Sequence, residues 1–292
     1  MKKITFVMII ITIAFSLGIG LFSNPLLANT ENNPKILRDK YLNIITVNKP
    51  QYQMVKKIVK DKHNVQYMFS NENDIKEFKY NKDVIENVSN MDLFIYTGTT
   101  FEPWANSFIG ELEKGNIGII NLSRGMRLLN YDVNGSSKEN PYYFEGIEAY
   151  KIALYNVKAA IQDRDPENRE YYEENYNNAI KELNDKIDVY SKKIESLNSY
   201  TFLTLNNNFD YLIKDLGLNV LKLDNREISE FIKINNLDKN KLVILKDGTE
   251  QTSMDLSKYS VVNLWKYDGN MSFDDLILYN VEVLTDLIVE NS

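Results

Sequence analysis

The chain has 292 residues, 43% hydrophobic and 12% aromatic, enough apolar side chain for two packed domains and too much for a disordered polymer. Its 34 Lys and Arg are interspersed among 41 Asp and Glu for a net charge of −7, so it offers no basic face to nucleic acid or to anionic lipid. There is no cysteine and one histidine, His63, which excludes disulfides, thiolate metal ligands and a cysteine nucleophile and makes imidazole scarce.

Lys2 and Lys3 precede an uncharged apolar run over 4–22, and the chain then turns polar around Pro25 and Ala28, the pattern of an export signal over 1–28. Leu26-Leu27-Ala28 offers a cleavage site, although Leu26 is large for it, and the apolar run is long enough to span a bilayer. Cleavage and retention as an anchor both stay open, and lipidation would require a cysteine. Residues 29–40 read as a solvated tether, so membrane contact is expected through the N-terminal segment alone, with the rest exported to the cell surface or extracytoplasmic space.

From 41 to 164 strands and helices alternate. Strands are expected at 42–47, 65–69, 92–96 and 117–121. Helices are expected after Lys49-Pro50 through Met54, Val55, Ile58 and Val59, at 83–88, and opening at Glu102-Pro103-Trp104. The polar segments 70–82 and 123–143 read as loops. Strict alternation argues for parallel βα units, whose binding sites lie at the carboxyl ends of the strands. No strand is followed by GxGxxG, which disfavours a dinucleotide.

Residues 165–197 read as one uninterrupted helix, roughly 45 Å long at 1.5 Å per residue. Asp165 suits the N-cap, Pro166 the first turn, and Glu167 the positive end of the dipole. Tyr172, Tyr176, Ile180, Leu183, Ile187, Tyr190, Ile194 and Leu197 form a single apolar stripe. A rod longer than one lobe needs is expected to join two, the alternative being a solvated arm or coiled-coil dimer. Alternation then resumes over 198–292, with strands at 201–205, 219–223, 241–245 and 260–264. Helices are expected at 207–216 and 226–234, a short one near 253, and a terminal one at 273–289 capped by Ser272 with Asp275. The expected class is α/β, two βα lobes with parallel sheets joined by one long helix.

Several collinear stretches resemble the solute-binding proteins of zinc and manganese ABC importers, the group that includes metal-binding adhesins. Met91-Asp92-Leu93-Phe94-Ile95-Tyr96-Thr97-Gly98 with Phe101-Glu102-Pro103-Trp104 is similar to that family's ADLFIYNG…LEPW. Asn140-Pro141-Tyr142-Tyr143-Phe144 stands where the family has DPHVWLDP. Phe202-Leu203-Thr204-Leu205-Asn206-Asn207-Asn208-Phe209 stands where it has FVTSHDAF. The likeness runs over 42–292, with shortening between 223 and 260. It implies a periplasmic-binding-protein-like fold of the rigid-linker type, a permease with its ATPase as partners, no cofactor and no enzymatic activity.

The same resemblance removes the family's metal ligands. The DPH histidine is Tyr142, the TSH histidine is Asn206, the first histidine falls near Asn73 and Asp74, and the late aspartate is Trp265. No imidazole remains at a family position, and amide and phenol oxygens are poor donors to zinc or manganese. No metal site is therefore expected. Asn73, Asp74, Tyr142, Tyr143, Asn206 and Trp265 are the candidate cleft residues, suited to an unknown small organic solute or to none, although ordinary packing between lobes would use the same residue types. The alternative function is an exported adhesin or a regulatory or scaffold partner of a transport complex. Carboxylates such as Asp74 and Asp268 would favour calcium over zinc. His63, between Lys62 and Asn64, reads as an exposed helix-terminal side chain, and Glu102 as a helix-start residue.

Overall fold

Apolar runs bounded by turn residues become the middle strands of two parallel sheets. The computed structural model describes residues 41–112, 115, 117–133, 135–224, 226–249, 251–269 and 271–290. The expected export signal and tether lie outside the described residues. The first sheet holds β1 (Asn43–Asn48), β2 (Asn64–Phe69), β3 (Leu93–Tyr96) and β4 (Gly118–Asn121) in the order β2-β1-β3-β4, all parallel. The second holds β7 (Thr201–Thr204), β8 (Val220–Lys222), β9 (Leu242–Asp247) and β10 (Ser260–Leu264) in the order β10-β9-β7-β8, also parallel. Each lobe's first strand lies inside its sheet and the chain winds outward to both sides, which places a topological switch point at the carboxyl ends of β1 and β3 and another at those of β7 and β9.

Helix α1 (Lys49–Val59) shows how local sequence positions these ends. The Asn48 side-chain Oδ1 accepts from the Gln51 backbone N–H at 2.9 Å, and the Gln51 side-chain oxygen accepts in return from the Val47 and Asn48 backbone N–H groups. This is a reciprocal capping box. The Gln51 amide then donates to Thr97 Oγ1 at 2.9 Å, fastening the end of β1 to the end of β3. Met54, Val55, Ile58 and Val59 are buried on the other side of the turn, as their spacing predicts.

The polar stretch 70–82 is not all loop, because Asn71 caps a short helix α2 (Glu72–Lys76), accepting from the Asp74 N–H at 2.9 Å. Helices α3 (Lys82–Ser89) and α4 (Ala105–Glu111) follow in the first lobe. The expected loop 123–143 contains an antiparallel ribbon, β5 (Asn130–Val133) with β6 (Ser136–Glu139), turned at Gly135 with φ +79°. Among the described residues no helix forms near residue 253.

The rod is interrupted. After α5 (Ile147–Arg164), residues 166–168 form a 3-10 turn, α6 spans Arg169–Asp188, and α7 spans Ser191–Leu197. At the joint the Tyr190 N–H bonds the Ile187 carbonyl at 2.9 Å, a tightened turn around Val189, which is 78% exposed and gains no packing from a regular helical position. Helix α6 packs on α1 and α5, and α7 packs on the terminal helix α10 (Phe273–Glu290). Helices α8 (Asp210–Asp215) and α9 (Ile228–Ile234) complete the second lobe, and Ser272 caps α10 through the Asp275 N–H as expected. Among the described residues no helix is long and apolar enough to cross a membrane.

The expectation for His63 is overturned. It is 3% exposed, its Nδ1 accepts from the Leu42 N–H at 3.4 Å, and its Nε2 lies 2.7 Å from the Tyr172 hydroxyl. With Nδ1 accepting, Nε2 carries the proton and donates to Tyr172, which donates to Asp165 Oδ2 at 2.5 Å. Asp165, busy with Tyr172 and Asn168, does not cap the rod. Burial lowers the His63 pKa from 6.5, with Asp165 opposing the shift, so the folded chain holds the ring neutral while the unfolded chain protonates it below 6.5. The unfolded state then binds more protons, and this contribution to stability is present above pH 6.5 and lost as pH falls below it. His63→Asn, which keeps an acceptor for Leu42, should flatten the decline between pH 6.5 and 5 in urea midpoints measured beside the unmodified chain; parallel curves would disprove the buried neutral ring.

Candidate functional site

The segment 140–146 stands between the two sets of strand ends and bonds to both. The Asn140 amide donates to the Asn207 carbonyl at 2.7 Å, and its own carbonyl accepts from the Tyr211 hydroxyl at 3.1 Å. The Tyr143 hydroxyl donates to the Thr97 carbonyl at 2.8 Å. Glu145 Oε1 accepts from the Tyr267 N–H at 3.0 Å. Phe101 from the first lobe, Phe144 from this segment and Tyr267 and Phe273 from the second pack ring against ring, with Phe144 and Phe273 stacked at 4.5 Å between centroids. The seam between the sheets is thus filled by the chain's own aromatic side chains.

At the rim of this seam lies a charged cluster. The Tyr142 hydroxyl donates to Glu72 Oε1 at 3.2 Å, Lys76 Nζ reaches the same oxygen at 2.5 Å, and Lys266 Nζ lies 3.8 Å from Glu72 Oε2 and 5.7 Å from the Tyr142 ring centre. Burial, reinforced by the Glu72 carboxylate, pushes the Tyr142 phenol up, so it remains a neutral donor.

The six candidate residues fall in different surroundings. Tyr142 joins the charged cluster. Tyr143 is 1% exposed and belongs to the packed interior rather than to an open surface. Asn73 and Asp74 are exposed on the first turn of α2, with Asp74 engaged by the Asn71 cap. Asn206 is half-buried just after β7, its side-chain oxygen accepting from the Asn208 N–H at 3.1 Å. Trp265 is half-buried just after β10, its backbone held by Asn280 and its indole donating to Asp268 at 3.3 Å.

Sequence reasoning passed over Glu72, Lys266 and Glu145 and misread Glu102. Glu102 does not start a helix, since α4 begins at Ala105. It is 2% exposed, and Oε1 accepts from the Thr97 N–H at 2.9 Å while Oε2 has no partner among the described atoms. Burial pushes its carboxyl up to about 7. Glu145, 1% exposed, is pushed well above the usual carboxylate range, again by burial first. The available signal was position: Glu102 sits inside the motif that follows the carboxyl end of β3, and Glu145 directly follows the Asn140–Phe144 motif. Among the described residues no three His, Asp or Glu side chains converge as a metal ion would require. A separate open recess of about 740 Å³ lies on the second sheet, bordered by Leu205, Leu223, Arg226, Lys239, Met254 and Tyr259, where the expected short helix is missing.

Residues 44–239 match the family described as zinc-uptake complex component A, periplasmic. The high-affinity zinc uptake system protein ZnuA of Bacillus subtilis is 28% identical over 192 residues, 61% of this chain and 59% of that protein. The manganese ABC transporter substrate-binding lipoprotein PsaA of Streptococcus mitis is 25% identical over 52% of this chain and 50% of its own length. This chain therefore spans about half to three fifths of these relatives. Among solved structures, the metal-dependent lipoprotein YcdH of Bacillus subtilis superposes with a TM-score of 0.67 at 23% identity, covering 84% of this chain and 98% of that one. The binding protein FpvC of Pseudomonas aeruginosa in complex with Mn2+ superposes with a TM-score of 0.70 at 18% identity, covering 87% and 100%. Both carry the same fold.

The raised carboxyl of Glu102 has a measurable consequence. Between 4.5 and about 7 the folded chain holds a proton on Glu102 that the unfolded chain has released, so this group's contribution to stability is full below pH 4.5 and declines as pH rises through that window. Glu102→Gln, still accepting from Thr97, should remove a decline of up to about 3 kcal/mol between pH 4.5 and 8. Chemical unfolding across that range checks this, and an unchanged pH slope would show that the carboxyl is not held protonated.

Proposed function

We propose, from the premise that this chain belongs to the zinc-uptake complex component A family, that it is an exported solute-binding component of an ABC importer that has given up metal as its cargo. Its partners are a permease and the ATPase that drives it. The observation that carries the metal-free reading is Tyr142. Standing where the resemblance puts an imidazole, it is a neutral phenol bonded to Glu72 with the Lys266 ammonium beside it. A metal ion there would have to displace a cation and draw on phenol and amide oxygens, which bind zinc weakly.

The phenol, indole and amide of Tyr142, Trp265 and Asn206 suit a small organic solute that stacks and accepts one or two hydrogen bonds. A scaffold partner that engages the permease without cargo is the second reading, favoured by the ring packing that fills the seam. A solute bound only by the folded chain raises its thermal midpoint, whereas a scaffold responds to none.

The metal-free reading is tested by titrating the chelator-treated chain with zinc and manganese in a calorimeter, alone and as the Tyr142→His, Asn206→His double variant. The unmodified chain should show no submicromolar site, and the double variant should gain affinity. Submicromolar zinc binding by the unmodified chain would end the proposal.

A further inference from the structure

Lys266 enters the seam on a short segment that leaves β10 at Leu264 and passes directly against the first lobe. Gly269, at φ +94°, lies so close to the loop before α2 that a β-carbon there would collide with the Ser70 carbonyl oxygen. Next to Lys266, the Tyr267 N–H donates to buried Glu145 at 3.0 Å, and the Trp265 backbone is held on both sides by Asn280. The backbone around the lysine is therefore fixed, and its long side chain is delivered across the seam rather than left to wander. Lys266 is 17% exposed and Glu72 10%. Glu72 meets two ammonium groups of different character: Lys76, 47% exposed, reaches Oε1 from the solvent side of the same helix, and Lys266 faces Oε2 from the other lobe. The face of the Tyr142 ring adds a cation–π surface to the Lys266 site.

We propose that the Lys266 ammonium is the resident cation of this cleft, tethered to the second lobe and set against Glu72 and Tyr142 of the first, in the electrostatic place a bound metal ion would take. The inference rests on the metal-free reading above and deepens it. A free ion must be captured from solution and can leave. A tethered ammonium is always present, so the lobes are drawn together with no cargo bound. The site holds a compact positive charge between the Glu72 carboxylate and the Tyr142 ring with a carbon stem behind it, which is the shape of a primary alkylammonium ion.

Removing the side chain should therefore leave a gap that a small amine can fill. The thermal midpoint of chelator-treated Lys266→Ala should fall below that of the unmodified chain. Ethylammonium should restore at least half of the loss, saturably, while leaving the unmodified chain unmoved. At equal ionic strength sodium, which has no carbon stem, and tetramethylammonium, which is too large, should restore none. No loss in Lys266→Ala, or equal recovery with sodium, would overturn the proposal. Should Lys266→Ala not fold, Lys266→Met decides: the proposal requires this variant, which keeps the carbon stem and loses the ammonium, to have a lower midpoint than the unmodified chain, and equal midpoints refute it. Zinc added to the unmodified chain separates the two levels of the account. A zinc-induced rise in its midpoint overturns the metal-free reading itself, whereas no rise together with an amine-insensitive Lys266→Ala overturns the lysine assignment alone.

Discussion

Segment 140–146 cannot belong to one lobe without belonging to the other. Within seven residues it bonds the end of β3 through Tyr143, the loop after β7 through Asn140, the loop after β10 through Glu145, and α2 through Tyr142. Each of these ties joins a carboxyl end of a parallel strand, where backbone groups leave the sheet and need new partners. The ring cluster around Phe144 then excludes water from the seam, which strengthens the polar ties and raises the cost of any acid buried with them.

That cost falls on Glu102 and Glu145. Both are buried within these ties, each accepting one backbone N–H, and burial raises the pKa of both, so each holds its proton to higher pH than an exposed carboxyl does. Glu72, nearer the rim and flanked by two lysines, is where the seam keeps an ionic contact. The arrangement separates acids with raised pKa within from a compensated pair at the edge. It also explains why Tyr142, between them, stays a phenol. A second ion pair, Lys57 to Asp274 at 2.9 Å, links α1 to the first turn of α10.

The middle strands of the two sheets were legible because strands buried on both faces are near-continuous apolar runs bounded by turn residues, and these survive translation into structure with boundaries shifted by a residue or two. The rod was legible as a face and not as a line. Its stripe from Tyr172 to Leu197 says which side packs, while the break at Val189 depends on that residue having nothing to pack against. Asn71 and Gly135 each placed a short element in a stretch whose polarity read as loop, since capping and turn chemistry act through one or two side chains that composition averages away. His63 and Lys266 were hidden for a different reason. His63 stands between Lys62 and Asn64 and Lys266 is itself charged, and what buries or fixes them, Tyr172 in one case and Glu72 in the other, comes from a distant part of the chain. The motif likeness located Tyr142 but said nothing of the acid and ammonium it would meet.

The account comes down to what fills the place of the family's cargo. Native mass spectrometry of the chain isolated from its own host, without added or removed metal, asks this most directly. A mass equal to the polypeptide alone, or to the polypeptide with an organic solute, is the predicted result. A population carrying one zinc or manganese ion per chain, lost only on chelation, would contradict it.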